Sequence, residues 1–240
     1  MFDSKGGLMF KRVLIANRGE IALRIQRTCR ELGIETVAVY SEPDRNSLHV
    51  RNADYAICIG PGPALESYLV IEKIIDAAIQ SDAEAIHPGY GFLSENSDFA
   101  DACNAANITF IGPPSSAMKD MGDKVSARQL MEKAGVPVVP GAEDIKIEDM
   151  ESAKDAATKI GFPLMVKASA GGGGRGIRLV HKIEDLENAM RQSASEAQSS
   201  FGNPTIFLEK YVSPARHIEV QIMADSEGNV RAFGERECSI

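Results

Sequence analysis

Short apolar runs alternate with amphipathic segments over the first 113 residues, and this alternation restricts the possible folds more than any other feature. Strands are predicted in KRVLIAN, ETVAVYS, ADYAICIG, AEAIHPGY and ITFIGPP. Helices are predicted in GEIALRIQRTCREL and YLVIEKIIDAAIQS, where apolar residues recur at steps of three and four. The strands carry Val, Ile and Ala on both faces, as a parallel sheet covered on two sides requires. The pattern predicts an open α/β layer fold.

The remaining sequence predicts a compact α+β unit. GDKVSARQLMEKAG is a predicted helix that ends at Gly135, and VPVVPG, with two prolines, is a predicted connector. Strands are predicted in FPLMVKAS, IRLV, TIFLEKYV, RHIEVQIMAD and NVRAFGERECSI, the last two joined by the turn DSEGN. DMESAKDAATKIG is a predicted helix, and a longer helix has one apolar face formed by Ile183, Leu186, Met190, Ala194, Ala197 and Phe201.

Charge and cysteine content restrict the partners and the compartment. A net charge of −8 argues against nucleic acid or an anionic membrane as the main partner. The four cysteines are far apart and form no CxxC pair, which argues against a zinc site or a disulfide framework and favours a cytoplasmic location. The sequence contains no run of about 18 apolar residues, so no membrane span is predicted. Residues 1–8 are interpreted as an extension, and the ending in a strand is interpreted as a truncation.

A run of glycines separates two predicted strands in KASAGGGGRGIRLV, from Lys167 to Val180. A flexible linker is one interpretation. Linkers join independent modules, however, whereas this run connects strands only a few residues apart. Each glycine costs about 0.5–1 kcal/mol in folding free energy relative to alanine, and exposed N–H groups of such a loop can form an anion-binding concavity. The second interpretation is therefore a loop that lies against phosphate groups.

Two lysines and a polar triplet support the phosphate interpretation. Lys167 lies in an apolar strand just before the loop, where an ammonium group needs a partner. Lys124 begins the helix of MGDKVSA, and an anion would relieve the repulsion between two converging ammonium groups. Each lysine–phosphate contact is worth about 4 kcal/mol before desolvation, at ~4 Å and an effective dielectric near 20. The triplet 209–211 follows the strand TIFL, where backbone polar groups can be presented to a planar ring such as adenine.

Several polar residues carry weaker hypotheses. Arg18 could aim at an anion at a helix N-terminus, and His87 has either a structural hydrogen bond or a function. Arg27 and Glu31 are spaced to pair on a helix surface. Two histidines are predicted to be surface residues: His49 and His181. Three acidic residues are candidate groups beside a bound anion, although surface or capping roles are the simpler interpretation: Asp44, Glu95 and Asp123.

The combined motifs resemble the biotin carboxylases of the ATP-grasp superfamily, most closely the biotin carboxylase subunits of bacterial acetyl-CoA carboxylases. The resemblance lies in RVLIANRGEIALRI, AIHPGYGFLSEN, FIGP, MGDKVSAR, KAGVPVVPG, KASAGGGGRGIR, LEKYV, RHIEVQI and GERECSI, in this order. It implies an N-terminal open parallel-sheet (Rossmann-like, pre-ATP-grasp) domain followed by the α+β lid of an incomplete ATP-grasp fold. The implied boundaries are 1–8 extension, 9–122 N-terminal domain, 123–140 connecting helix and linker, 141–211 lid, and 212–240 start of the C-terminal lobe.

The resemblance also implies roles for particular residues. One group is expected around ATP, with lysines and loop glycines at the phosphates, an adenine hinge, and a histidine near the ribose: Lys124, Lys167, Gly173, Gly174, Glu209, Lys210, Tyr211, Val212 and His217. Tyr90 is expected near biotin. No catalytic residue and no Mg²⁺ ligand is expected within this chain, because the family has them beyond the position of Ile240. The 240-residue chain alone is therefore expected to be inactive.

The implied reaction uses ATP, Mg²⁺, bicarbonate and biotin. ATP phosphorylates bicarbonate to carboxyphosphate, whose carbon dioxide is captured by biotin on a carrier protein; this is the first half-reaction of acetyl-CoA carboxylase, in fatty acid biosynthesis. Expected partners are the biotin carboxyl carrier protein, a carboxyltransferase and a second copy of the chain. The alternatives are a fragment of pyruvate or propionyl-CoA carboxylase, a ligase that makes carbamoyl phosphate, and an inactive nucleotide-binding module. The carbamoyl phosphate ligases should lack HPGYGFLSEN, which this chain has.

Overall fold

The computed structural model describes residues 10–122, 124–169, 176–225 and 227–239, without the side chains of residues 124–126, 144 and 201. The chain forms two units, an N-terminal unit that ends at Asp123 and a C-terminal unit that begins at Lys124. Each unit has its own sheet and its own helices. The finer boundaries expected within the C-terminal unit stay predictions.

The N-terminal unit alternates strands and helices as predicted. Its strands are β1 (Arg12–Ile15), β2 (Glu35–Ser41), β3 (Tyr55–Gly60), β4 (Ala85–His87) and β5 (Thr109–Phe110). Its helices are α1 (Gly19–Glu31), α2 (Leu48–Arg51), α3 (Ile71–Gln80), α4 (Ser97–Ala105) and α5 (Ser115–Gly122). Two 3₁₀ turns cover Glu42–Asp44 and Ala64–Glu66.

The five strands form a parallel sheet in the order β3-β2-β1-β4-β5. In β1, Leu14 packs into a hydrophobic cluster with residues of α3 and α4, whereas Val13 and Ile15 pack into another with residues of α1. The central strand is therefore buried on both faces, which confirms the covered parallel sheet. The prediction that the strands are covered on both faces is wrong for β3, which is mostly exposed because it lies at the edge of the sheet.

Local sequence determines where α1 begins and ends. Ala22, Ile25 and Cys29 are spaced at three and four residues and are buried on one face of the helix. The chain leaves the helix through Gly33, whose φ of 73° lies in the left-handed region that glycine adopts without strain. At its other end, α1 begins at Gly19, shortly after β1 ends at Ile15, so its first turn lies close in sequence to the carboxyl end of β1.

The C-terminal unit combines an antiparallel sheet, three helices and a hairpin. Its helices are α6 (Lys124–Lys133), α7 (Met150–Ile160) and α8 (Leu186–Phe201), and a 3₁₀ turn covers Ile183–Asp185. Its strands are β6 (Gly141–Ile145), β7 (Leu164–Ala168), β8 (Arg178–Val180), β9 (Ile206–Lys210), β10 (Ile218–Ala224) and β11 (Val230–Glu237). The first four strands form an antiparallel sheet in the order β6-β9-β7-β8.

One face of this sheet is covered by α7 and α8. Leu164, Val166 and Leu208 are fully buried in one cluster with residues of α7 and α8. Four residues of the predicted apolar face lie in α8 and are buried: Leu186, Met190, Ala194 and Ala197. Ile183 was predicted in the same helix but lies half-buried in the preceding 3₁₀ turn. The alternate residues of β7 and β9 are only half-buried, so the sheet has a covered face and an open face.

β10 and β11 form a separate antiparallel hairpin, as predicted. Its turn is held by Asp225, whose carboxylate accepts hydrogen bonds from the Asn229 backbone N–H at 2.9 Å and from the Asn229 side-chain amide at 2.7 Å. Such side-chain bonds to a nearby backbone favour aspartate in turns.

Several elements differ from the expectation. Helices α2, α4 and α5 were not predicted, and the last residue of the predicted connector, Gly141, begins strand β6. The sequence of β6, GAEDI, has little strand character of its own. It becomes a strand because it pairs with β9, where Ala142 lies opposite Leu208.

Candidate functional site

The open face of the antiparallel sheet carries an ion pair between two predicted site residues. Lys167 of β7 lies opposite Phe207 of β9, and Glu209 lies two residues farther along β9 on the same face. Such diagonal neighbours are within reach of long side chains. The Lys167 ammonium donates a hydrogen bond to the Glu209 carboxylate, and both side chains are about a quarter exposed, 24% and 22%.

Half-buried apolar side chains flank this pair. Met165 lies opposite Glu209, and Phe207 lies opposite Lys167. Both alternate with fully buried neighbours and therefore face away from α7 and α8. An apolar surface next to one cation and one anion can hold a flat ring together with a charged group.

Lys210 has a structural role in addition to its predicted place in the adenine hinge. Its ammonium donates to the backbone carbonyls of Gly161 and Phe162 at 3.1 and 3.0 Å, directly after the C-terminus of α7. A cation at this end of a helix is stabilised by the helix dipole. The Lys210 and Tyr211 backbone N–H groups donate to Pro140 and Pro163. These bonds fix the end of β9, and Val212 follows it with about half of its surface exposed.

The predicted phosphate loop connects β7 to β8, which are adjacent and antiparallel, with Leu164 opposite Val180. Gly173 and Gly174 lie outside the described residues. Lys124 begins helix α6, as predicted, but its side chain is not among the described ones. At the end of the loop, Gly176 has a φ of 69°, and a Cβ atom there would lie 3.0 Å from the Ala168 Cβ. This position therefore requires glycine.

His217 lies just before β10. Its Nε2 is 3.2 Å from the Glu219 carboxylate, and its side chain is largely exposed. In the contacts of the described residues, His217 does not meet the Lys167–Glu209 pair. Its predicted place near a ribose stays a prediction.

In the N-terminal unit, Tyr90 lies in the loop that follows β4. Its hydroxyl donates to the Glu20 carboxylate in the first turn of α1, and this bond raises the pKa of the exposed phenol. Together with Ile21, Gly91 and other residues of the two loops, Tyr90 lines a cleft of about 260 Å³. The cleft lies where β1 and β4 end, and ligands of open parallel sheets bind at such carboxyl ends.

Asn17 holds the Tyr90 loop in place, although sequence analysis did not identify it. The buried Asn17 amide donates to the Pro88 and Tyr90 carbonyls at 2.8 and 2.7 Å, and its Oδ1 accepts from the Arg18 N–H at 2.8 Å. A Cβ atom at Gly89 would lie 2.8 Å from the Asn17 amide nitrogen, so this close approach also requires glycine.

Arg18 and Asp44 form a second polar centre in the N-terminal unit. The Asp44 carboxylate accepts from Arg18 at 3.0 Å, from Ser41 at 2.9 Å and from Tyr68 at 2.8 Å. Burial alone would raise the pKa of Asp44, but the hydrogen bonds from Tyr68, Arg18 and Ser41 outweigh it and hold that pKa below its ordinary value. Burial raises the pKa of Tyr68 to about 12. The anion that Arg18 meets in this structure is therefore Asp44.

The predicted surface position of His49 is wrong. His49 is only 2% exposed, and neither ring nitrogen has a hydrogen-bond partner within the described residues. Burial lowers its pKa. The reason is that the short helix α2 packs on α1, where the Gln26 amide donates to the His49 carbonyl at 2.6 Å.

The remaining candidates have ordinary structural roles or lie outside the described residues. The His87 Nδ1 accepts a hydrogen bond from the Gly89 N–H at 3.0 Å. Of the two roles predicted for His87, a structural hydrogen bond or a function, this is the structural one. Arg27 and Glu31 pair at 3.3 Å on the surface of α1, as predicted. His181 and Glu95 are exposed, and Asp123 lies outside the described residues.

Among the described residues, no group of three or more His, Cys, Asp and Glu side chains is placed to hold a metal ion. Over the same residues, no helix combines the length and the apolar character needed to cross a membrane.

Fold and site together define a protein of the ATP-grasp class, with an α/β domain followed by an ATP-binding domain. Residues 9–118 match the biotin carboxylase N-terminal domain, and residues 123–240 match the ATP-binding domain of the carbamoyl-phosphate synthase L chain. The chain therefore consists of a biotin carboxylase N-terminal domain followed by an ATP-binding domain.

Individual relatives agree with this assignment. Biotin carboxylase 1 of Bacillus subtilis is 53% identical over 232 residues, which are 97% of this chain and 51% of the relative. The Campylobacter jejuni biotin carboxylase–β-γ-ATP complex superposes with a TM-score of 0.87 at 52% identity, over 96% of this chain and 51% of that one. The chain thus spans about half the length of these relatives.

A third similar protein comes from a different carboxylase. The biotin carboxylase domain dimer of Hydrogenobacter thermophilus 2-oxoglutarate carboxylase was crystallised with MgADP, ADP and bicarbonate. It has a TM-score of 0.86 and 49% identity, over 98% of this chain and 51% of that one.

Proposed function

We propose that the protein containing this chain is an ATP-dependent biotin carboxylase and that its C-terminal unit binds the nucleotide. In the proposed reaction, bicarbonate attacks the γ-phosphorus of ATP and ADP leaves. The resulting carboxyphosphate breaks down to carbon dioxide and inorganic phosphate, the phosphate takes the proton of the biotin ureido nitrogen, and that nitrogen bonds to the carbon dioxide. The observation that carries the proposal is the Lys167–Glu209 pair on the open sheet face. It joins β9 to β7, and β7 is the strand that leads into the glycine-rich segment.

In this proposal Lys167 contacts the phosphates. Its position on a central strand, half-buried among apolar neighbours, gives a phosphate contact a lower effective dielectric than bulk water. A fixed ammonium group stabilises the charge on a phosphoryl group in transfer. Lys124, Gly173 and Gly174 are proposed to contact the same phosphates.

The residues at the end of β9 are proposed to read the base. Glu209 lies on the open sheet face near the end of β9, and Val212, about half exposed, follows the strand. His217 is proposed near the ribose, and Tyr90, in the N-terminal unit, is proposed near biotin. The exposed Tyr90 hydroxyl is already oriented by Glu20.

The family uses Mg²⁺ with ATP, and the similar 2-oxoglutarate carboxylase domain was crystallised with MgADP. The described residues do not fit a complete Mg²⁺ site, because no three acidic or histidine side chains converge among them. No step is therefore assigned to the metal.

The proposed partners follow from the family. A biotin carboxyl carrier protein would bring biotin to the site, and a carboxyltransferase would use the carboxylated product. Biotin carboxylase 1 and a 2-oxoglutarate carboxylase domain match this chain at similar identity, 53% and 49%, so the acceptor of the second half-reaction is proposed from the sequence resemblance alone. Acetyl-CoA carboxylase is the proposed complex, with pyruvate and propionyl-CoA carboxylases as alternatives. A homodimer in the cytoplasm is proposed.

Calorimetric titration with ATP tests the nucleotide site. Lys167→Ala is expected to weaken ATP binding by about tenfold, which corresponds to ~1.4 kcal/mol, because it removes the ammonium group at the phosphates. Lys182→Ala is the control, since Lys182 is an exposed lysine after β8 in the same unit. If the Lys167→Ala variant and the wild type are both folded and bind ATP with equal affinity, Lys167 does not contact the nucleotide.

The reaction is tested separately by measuring ADP release by the protein that contains this chain. ADP release is expected to depend on both bicarbonate and biotin. ADP release that is unaffected by omission of biotin and bicarbonate would contradict the proposed carboxylation.

A further inference from the structure

The partner of Lys167 in the structure is an anion that belongs to the protein itself. The Glu209 carboxylate accepts a hydrogen bond from the Lys167 ammonium, with about three quarters of each side chain buried. A polyphosphate that binds Lys167 must therefore compete with Glu209. This step rests on the proposed function, which places phosphate at Lys167.

The competition costs free energy, because it leaves a carboxylate partly buried without its cation. Removing one partner of a buried ion pair is strongly unfavourable, because the other charge stays buried without its partner. For a pair that is about a quarter exposed, the same effect applies at a smaller magnitude. The neighbouring cation on β9 does not replace Lys167, because the Lys210 ammonium is held by the Gly161 and Phe162 carbonyls. Free polyphosphate should therefore bind weakly to the unmodified site.

A ligand that gives Glu209 a new hydrogen-bond donor removes this cost. An exocyclic amino group on a flat ring is such a donor, and Phe207 and Met165 provide half-buried apolar surface on the same sheet face. One ligand with both an amino-bearing base and a polyphosphate would then satisfy Glu209 with the base and release Lys167 to the phosphates.

We propose that Glu209 is a specificity-determining residue that couples recognition of the base to binding of the phosphates by exchanging its Lys167 partner for the amino group of the base. The site then selects a nucleotide with an amino-bearing base over free polyphosphate. Occupation of the base position raises the affinity for polyphosphate, and by linkage polyphosphate raises the affinity for the nucleoside by the same factor.

Tripolyphosphate titrations with and without saturating adenosine test the coupling. In the wild type, adenosine is expected to tighten tripolyphosphate binding about fivefold to tenfold, which is within the usual range of coupling between sites. In Glu209→Gln, which keeps the shape but removes the charge, tripolyphosphate is expected to bind about tenfold more tightly without adenosine. Adenosine should then add little, because Lys167 is already released.

Glu187→Gln is the matched control. It makes the same change of charge in the same unit but breaks an exposed pair with Arg191 at 2.9 Å, so it should behave like the wild type and reveal any effect of overall charge.

The outcomes separate this inference from the proposed function. If the wild type binds ATP but adenosine leaves tripolyphosphate affinity unchanged, the coupling is wrong and the nucleotide site stands. This measurement needs no variant, so it remains decisive if Glu209→Gln does not fold. If the wild type does not bind ATP, both proposals are overturned.

Discussion

At the scale of single residues, Asn17 connects two loops that are far apart in sequence. Its one amide group makes hydrogen bonds to Pro88, Tyr90 and Arg18. Through these bonds the loop after β1 fixes the backbone of the loop after β4. The position of Tyr90 therefore depends on a residue that contributes no chemistry of its own.

Replacing Asn17 should loosen the Tyr90 loop. Asn17→Ala leaves two carbonyl groups without their donor, and we expect a loss of about 2–3 kcal/mol in the free energy of unfolding. Urea denaturation measures this loss, and faster hydrogen exchange of the Gly89 amide would locate it. Asn104→Ala, at an exposed position of α4, is the control. Equal losses in both variants would show that Asn17 does not hold the loop.

Asp44 should make stability depend on pH in acid. Its folded-state pKa lies below the ordinary value of 3.8, so its contribution is complete above the unfolded pKa and is lost as pH falls through the folded pKa. We expect Asp44→Asn to lower the free energy of unfolding at pH 7 and this deficit to shrink below about pH 4. Urea denaturation of both proteins at pH 7, 5 and 3 measures it. Asp76→Asn, exposed on α3, should show no such convergence.

At the scale of elements, the sheet of the C-terminal unit depends on strict alternation. Val166 is fully buried under the helices, and its neighbour Met165 is on the open face. Val166→Ala should therefore cost about 2 kcal/mol, because it leaves a cavity in the core. Met165→Ala should cost less than half as much. Urea denaturation compares the two variants, and similar losses would mean that both faces of the sheet are covered.

Sequence predicted elements well where local pattern determines structure. Strands β1 and β2 were predicted from their apolar runs. Helix α1 was predicted from the spacing of its apolar residues, among them Ala22, Ile25 and Cys29. Strand β6 was missed because its conformation depends on pairing with β9, more than 60 residues away. The exposed edge position of β3 was also missed, since strand order is not visible in a local pattern.

The candidate site was predictable only in parts. Lys167 and Glu209 were each identified from their sequence neighbours, but their contact joins positions 42 residues apart and depends on the register between β7 and β9. Asn17 lies 73 residues from Tyr90, and the burial of His49 depends on the packing of α2 against α1. In each case a long-range contact assigns the role, and neighbouring residues do not reveal it.

At the scale of the whole molecule, the two units have separate cores. Two hydrophobic clusters consist of residues of the N-terminal unit and a third consists of residues of the C-terminal unit. Each unit therefore satisfies its own requirement for apolar burial, which is the usual property of a domain.

Damage to one core should stay local. Leu14→Ala removes a fully buried side chain from the N-terminal sheet, at an expected cost of about 3 kcal/mol. Native-state hydrogen exchange should then show weaker protection in β1 and β2 and unchanged protection in β7 and β9. An equal loss of protection in both sheets would show that the units unfold as one.

The two faces of the C-terminal sheet also restrict how the chain can change in length. One residue inserted into β7 would turn every later side chain of that strand over, moving the Lys167 charge into the core and buried Val166 or Ala168 outward. An insertion in the turn between β10 and β11 would leave the alternation of side chains in β7 unchanged. Related sequences should therefore differ in length at that turn and keep a constant number of residues through β7, even where the residues themselves change.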